Sequence, residues 1–175
     1  MIKFTQTKVS IHDSNKKAVR HGNCWQTTIA SLIEIDPLDV PNFETWFDYK
    51  SNNEKDHSKD FYYNYFEMTM NWLESKGYKL DHANIYNIAF HMEKEPEWLW
   101  RRLENVSKSK SFKEYKAELR KRLKGNLYIV SGLSPRGNNI YHVCIYKNGK
   151  LFYDVHPSRE GVLSQESFYS ITKIP

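Results

Sequence analysis

The sequence predicts an α+β domain from three observations: helical spacing of apolar residues in the first two thirds, strand alternation in the last quarter, and turn residues punctuating both. At 175 residues, with 39% hydrophobic and 15% aromatic residues, the chain can bury one continuous core without metal or disulfide staples. A single domain over 1–175 is therefore expected, with 12 Tyr and 9 Phe supplying much of the core volume. No internal repeat, low-complexity tract or interdomain linker divides it.

The elements follow in order. "KFTQTKVSI" (3–11) alternates like a strand and leads into a polar loop. A helix is predicted from Cys24 to Ile35, because Trp25, Ile29, Leu32 and Ile33 form one apolar stripe while Thr27, Thr28 and Ser31 lie opposite. Pro37 and Pro41 end it. The polar stretch that follows reads as a loop, and its second half, about 50–60, as a mobile one. A second helix is expected from Asp60 to Ser75, with Phe61, Tyr65, Met68 and Trp72 at helical spacing and Gly77 as a stop signal. "YKL" reads as a short strand, residues 83–106 as one or two helices interrupted near Pro96, and the segment up to Lys124 as a basic helix. "NLYIVSGL", "YHVCIYK", "KLFYDVH" and "SFYSITKI" then alternate as strands of an antiparallel sheet.

Charge is concentrated in one place. The net charge is +5, yet residues 101–124 alone hold ten Lys or Arg against three Glu. Nucleic acid or an acidic partner would suit such a segment. Phe112, Tyr115, Leu119 and Leu123 recur at helical spacing within it, so the plainer reading is an amphipathic helix with its charges in water. No stretch resembles a signal-peptide core or a membrane span. Two cysteines, Cys24 and Cys144, are too few and too far apart for a disulfide framework or zinc cluster. A cytoplasmic protein without membrane association is the expectation.

The chemistry centres on "HGNCWQTTIASL". Asn23 reads as a helix N-cap, Gln26 stands in the capping-box position, and Cys24 becomes the first helical residue. There its sulfur would face unpaired backbone N–H groups and the positive end of the helix dipole, which favour thiolate. A thiol nucleophile also needs a base and a group to orient that base. The hairpin "IYHVCIYKNGKLFYDVHP" offers both. A two-residue Asn148-Gly149 turn sets His142 opposite Val155 and mixes apolar with charged residues on one surface. A three-residue loop with Gly149 as a bulge pairs Val143 with Tyr153 and Ile145 with Leu151 on an apolar face, and brings His142 opposite Asp154 on the other. The second register is the expected one.

Cys24, His142 and Asp154 thus form a candidate catalytic triad, in that chain order. "GNCWQTTIASL" resembles the Cys-Trp helix start of papain-like cysteine peptidases, whose order is likewise Cys, then His on a strand, then an acid on the next strand. "GNCWQTTIASLIEIDPLDVPNF" with "LSPRGNNIYHVCIYKNGKLFYDVHPS" is similar to a group of small bacterial and phage-encoded proteins related to papain-like and bacteriocin-processing peptidases. These motifs cover about 50 of the 175 residues. The resemblance implies a papain-like fold, with the catalytic helix packed on a C-terminal antiparallel sheet, and cofactor-free thiol acyl chemistry on a peptide, isopeptide or related amide. It implies no particular substrate.

In these roles Cys24 attacks a carbonyl carbon, His142 moves the proton, and Asp154 fixes the His142 tautomer. The Cys24 backbone N–H and one side chain would hold the oxyanion. The family places a Gln shortly before the cysteine, but position 18 is Ala here. Gln6 is the candidate donor and Asn23 the second choice. Trp25, Arg136 and His156 are candidate substrate contacts; His156 could also be the base or a plain loop-edge residue, and Arg136 merely solvated. Cys144 reads as a packed thiol, and no ligand spacing argues for a metal. Two other functions stay open: transglutaminase-like acyl transfer to an amine, and a non-catalytic binding protein of the phage type that sequesters a host protein or ligand.

Overall fold

The protein, described here from a computed structural model, is defined for residues 1–8, 11–12, 18–20, 22–43, 59–84, 121, 123–137 and 140–175. Two short strands, β1 (Ile11–His12) and β2 (Ala18–Arg20), pair with one another. Helix α1 (Cys24–Ile33) and a 3-10 turn (Pro37–Asp39) follow, then helix α2 (Lys59–Ser75). The main sheet is built from β3 (Tyr78–Asn84), β4 (Leu127–Leu133), β5 (Tyr141–Lys147), β6 (Lys150–Tyr153) and β7 (Ser167–Lys173). Its order is β3-β7-β4-β5-β6, with every pair antiparallel. This is the α+β class that the residue pattern predicts. The polar stretch at 50–60 largely precedes α2 and lies outside the described residues, as does nearly all of the basic segment 101–124; of the helices expected over 83–106, residues 83 and 84 instead end β3 and the rest lie outside the described residues. Among the described residues no helix is long and apolar enough to cross a membrane.

Alternation in the strands sorts the sheet into two apolar faces. Ile129, Val143 and Tyr169 join Trp25, Ile29 and Ala30 of α1 and Phe66, Met70 and Leu73 of α2 on one side. Tyr128, Val130, Cys144, Tyr146 and Phe168 gather with Leu123 on the other. Full burial of aliphatic side chains such as Ile29, Leu73 and Ile129 stabilises the fold by about 1.5–3 kcal/mol each before entropy is counted.

Several local expectations are corrected. Residues 3–8 are not a strand; the first strand described is Ile11–His12. Gln6 N–H instead donates to Val155 carbonyl and Phe4 N–H to Ser31 Oγ, so this segment straps α1 to the residues after β6. That strap explains why Thr27, Thr28 and Ser31 are buried, although they form the polar side of α1. Thr27 and Ser31 satisfy their hydroxyls on the carbonyls four residues back. In α2 the buried row is Phe66, Thr69, Met70 and Leu73, whereas Met68 is 43% exposed. Of the expected stripe, Met68 is off the core face while Trp72 is partly buried against it; the fully buried row is 66/69/70/73, with Phe66 against Trp25 and Tyr169.

Candidate active site

The hairpin carrying His142 and Asp154 uses neither register anticipated from the sequence. Lys147 pairs with Lys150 and Tyr146 with Leu151 around Asn148 (φ 51°) and Gly149 (φ 81°), the two left-handed residues of a two-residue turn. A bulge then intervenes, so that Ile145 pairs with Tyr153 and Phe152 is the extra residue. The three-residue loop is thus overturned. The bulge shifts the following residues by one and restores the parity that the straight two-residue register loses. Continued past β6, it sets Asp154 beside Cys144 and His156 beside His142.

His142 and Asp154 meet diagonally across the strands. His142 Nε2 lies 2.6 Å from Asp154 Oδ1, with the two residues 5% and 2% exposed. An ionised carboxylate can only accept, so Nε2 carries the proton and Nδ1 is left as the basic nitrogen. Asp154 also accepts the N–H of His156 on Oδ1 and that of Gly161 on Oδ2, both at 2.8 Å. Burial pushes its carboxyl up, but the hydrogen bond and charge of His142 and these two amides outweigh it and hold the pKa at about 2. Arg159 clamps the same loop: it donates to the Asp154 carbonyl and, at 2.6 Å, to Thr5 Oγ1, and lies over the Tyr153 ring. Pro157, Ser158 and Gly161 mark a loop in the sequence, but nothing there shows that it folds back onto the carboxylate.

The thiol gathered with this pair is that of Cys144. A ring nitrogen of His142, the Cys144 sulfur and an Asp154 oxygen lie within 4.8 Å of one another. Sulfur, nitrogen and oxygen donors would suit a thiophilic divalent ion. The carboxylate, however, is already taken up by His142 and two amides, with Arg136 Nη1 3.6 Å from Oδ2. Burial first, then the charge of Asp154, push the Cys144 thiol far above the ordinary thiol range. This donor set is therefore a poor fit for a metal.

Cys24 is half-buried at the first position of α1 and packs against the cluster that contains Val143. Helix α1 contacts β5. His142 and Cys144 occupy the alternate positions of that strand. Asn23 makes no side-chain cap: its Oδ1 accepts Lys8 N–H, while Nδ2 donates to Thr7 Oγ1 and Gln26 Oε1. Gln26 closes no capping box either; its Nε2 donates to the carbonyls of Pro37 and Val40. Gln6 is buried, with Nε2 donating to the Lys8 carbonyl. Both N–H groups of Asn23 Nδ2 thus have partners within the protein, as does one of the two on Gln6 Nε2.

The three candidate substrate contacts separate. Trp25 is a core residue, 4% exposed, with its ring edge against Tyr169 and its Nε1 donating to Thr69 Oγ1. Arg136 is tied inward: Nη1 donates to Ser158 Oγ at 3.0 Å and lies within 4 Å of Asp154 and Glu160 carboxylate oxygens. His156 is half-buried, its ring perpendicular to that of His142 with centroids 5.9 Å apart. No protein family, curated protein or solved structure that was compared with the chain matches it.

Proposed function

We propose that the protein is a cysteine-dependent acyl hydrolase of papain-like type, acting on a peptide, isopeptide or related amide bond. The observation that carries this reading is the buried 2.6 Å bond between His142 Nε2 and Asp154 Oδ1. It is a base–orienter pair with one tautomer, in which Nδ1 is free to accept a proton. Cys24 is the nucleophile in this reading. It is half-buried, whereas Cys144 is fully buried and held protonated.

In the proposed cycle His142 Nδ1 takes the Cys24 proton, the thiolate attacks the carbonyl carbon, and the tetrahedral intermediate collapses as imidazolium protonates the leaving group. Water then hydrolyses the thioester, with His142 again as base. An amine in place of water would make the reaction a transfer, and product analysis with added amines separates the two outcomes. The reading requires Cys24 to reach Nδ1 from the start of α1. Its test is the rate of Cys24 alkylation by iodoacetamide from pH 4 to 10, in the parent and in His142→Ala, with mass spectrometry separating Cys24 from Cys144. Rapid labelling well below the ordinary thiol pKa of about 8.5, lost in His142→Ala, is the expected result. Labelling of Cys24 that ignores His142 would sink the triad.

A further inference from the structure

We infer that the outer edge of β6 is a platform for single-stranded nucleic acid, with the Phe152 ring stacking on a base and Lys3, Lys147 and Lys150 holding phosphates. β6 is the last strand of the described sheet, and Lys150, Leu151 and Phe152 are exposed along it. The bulge decides which ring is offered. Phe152 is its extra residue, without a partner on β5. The ring is 42% exposed and meets no other aromatic ring among the described residues. Tyr153, the next residue, is already covered: the Arg159 guanidinium lies 4.5 Å from its ring centroid, and its hydroxyl is 3.4 Å from Thr5 Oγ1.

Charge surrounds this ring. Lys3 Nζ stands 5.3 Å from the Phe152 centroid and 5.5 Å from that of Tyr153. Lys147 and Lys150 are both exposed and are paired directly across the hairpin, where like charges repel. None of the three lysines forms an ion pair among the described residues. An anion seated between Lys147 and Lys150 removes their repulsion. The combination of groups selects the partner. An acidic peptide would satisfy the lysines and leave the ring unused. A bilayer surface would need several apolar side chains projecting together, but Leu151 lies against Gly161, which leaves one ring. A single nucleic-acid strand supplies both requirements, phosphates at intervals and flat bases between them. The platform uses none of Cys24, His142 or Asp154, so it stands apart from the hydrolase reading.

The test is fluorescence anisotropy of labelled oligothymidylate and oligouridylate, each of about 15 nucleotides, over about 50 to 200 mM salt. The proteins are the parent, Phe152→Leu, which keeps bulk without a π face, Phe152→Tyr, which keeps the ring, and the double variant Lys147→Gln/Lys150→Gln. All three positions are exposed, so the substitutions leave the core untouched. The parent is expected to bind, Phe152→Leu to bind about 10-fold or more weakly, and Phe152→Tyr to bind like the parent. In the double variant the slope of log K against log salt should shrink by about 1.4, two phosphate contacts at about 0.7 each. A parent that binds neither strand at the lowest salt overturns the inference. So does parental affinity in Phe152→Leu, because charge alone would then hold the strand. Displacement by polyglutamate as effective as by unlabelled oligonucleotide would assign the edge to an acidic protein instead. Binding to phosphatidylserine vesicles that depends on Phe152, with no binding to either strand, would assign it to a membrane surface.

Discussion

Asn23 shows how one side chain can be chosen for a reason other than the obvious one. As an N-cap it would accept from the helix amides, and Asp would serve as well as Asn. In the structure both ends of its amide are used: Oδ1 accepts Lys8 N–H, and Nδ2 donates to Thr7 Oγ1 and Gln26 Oε1. Asn23→Asp keeps the acceptor but sets a carboxylate oxygen against Gln26 Oε1 in a site only 5% exposed. It should destabilise the protein by about 1–3 kcal/mol, the cost of a buried polar atom left without its partner, read as a lower urea midpoint at unchanged slope. A stability equal to the parent's would show that Asn23 works as a cap after all.

At the scale of elements, a tight backbone approach lies under the site. Gly132 pairs with His142 across β4 and β5, and residues 163–166 cross over it. Leu163 N–H donates to the Leu133 carbonyl and Glu166 N–H to that of Ser131. A Cβ on Gly132 would stand 1.7 Å from the Ser164 carbonyl oxygen, which is backbone and cannot swing aside. Gly132→Ala should therefore cost about 1–3 kcal/mol through overpacking. The displaced crossing should appear as faster amide exchange at Leu133 and Glu166, and unchanged exchange there would contradict the geometry. The same elements show how far the sequence could be read. The α+β class and the four C-terminal strands were legible because apolar spacing records which side of an element is buried; α2 was legible as a helix, but its buried row was not, since Met68 of the expected stripe is exposed. The common face of His142 and Asp154 was legible for the same reason. The register that produces it was not, because the bulge at Phe152 leaves no mark in an alternation count. The Asn148-Gly149 turn was a strong local signal, and it fits the apolar faces only once that bulge is present. The inward ties of Arg136 and Trp25 were equally hidden, since residue type alone does not say whether a side chain meets the protein or a ligand.

Over the whole molecule, acid tests the two faces of the sheet separately. On the helix-covered face His82 is stacked on Tyr169 at 4.5 Å, and its Nε2 is buried without a partner among the described residues. Burial lowers its pKa from 6.5 to about 4. The unfolded chain therefore binds a proton that the folded protein refuses between these values. Stability from this group is complete above pH 6.5 and is lost as the pH falls towards 4, by about 3 kcal/mol in all. On the opposite face Asp154 has its pKa lowered from 3.8 to about 2. The stability it contributes is complete above pH 3.8 and lost as the pH falls towards 2, on the order of 2 kcal/mol. The urea midpoint should accordingly be level above pH 7, fall between 6.5 and 4, and fall again below 4. His82→Phe keeps the ring stack and removes the titration, so it should abolish the upper fall and leave the lower one. Asp154→Asn should do the reverse from a lower starting stability, because a neutral amide gives up the charge that the His142 bond and the amides of His156 and Gly161 were built around. If one substitution removed both falls, the two faces would not be titrating independently, and the acid response would belong to a single coupled network through the sheet.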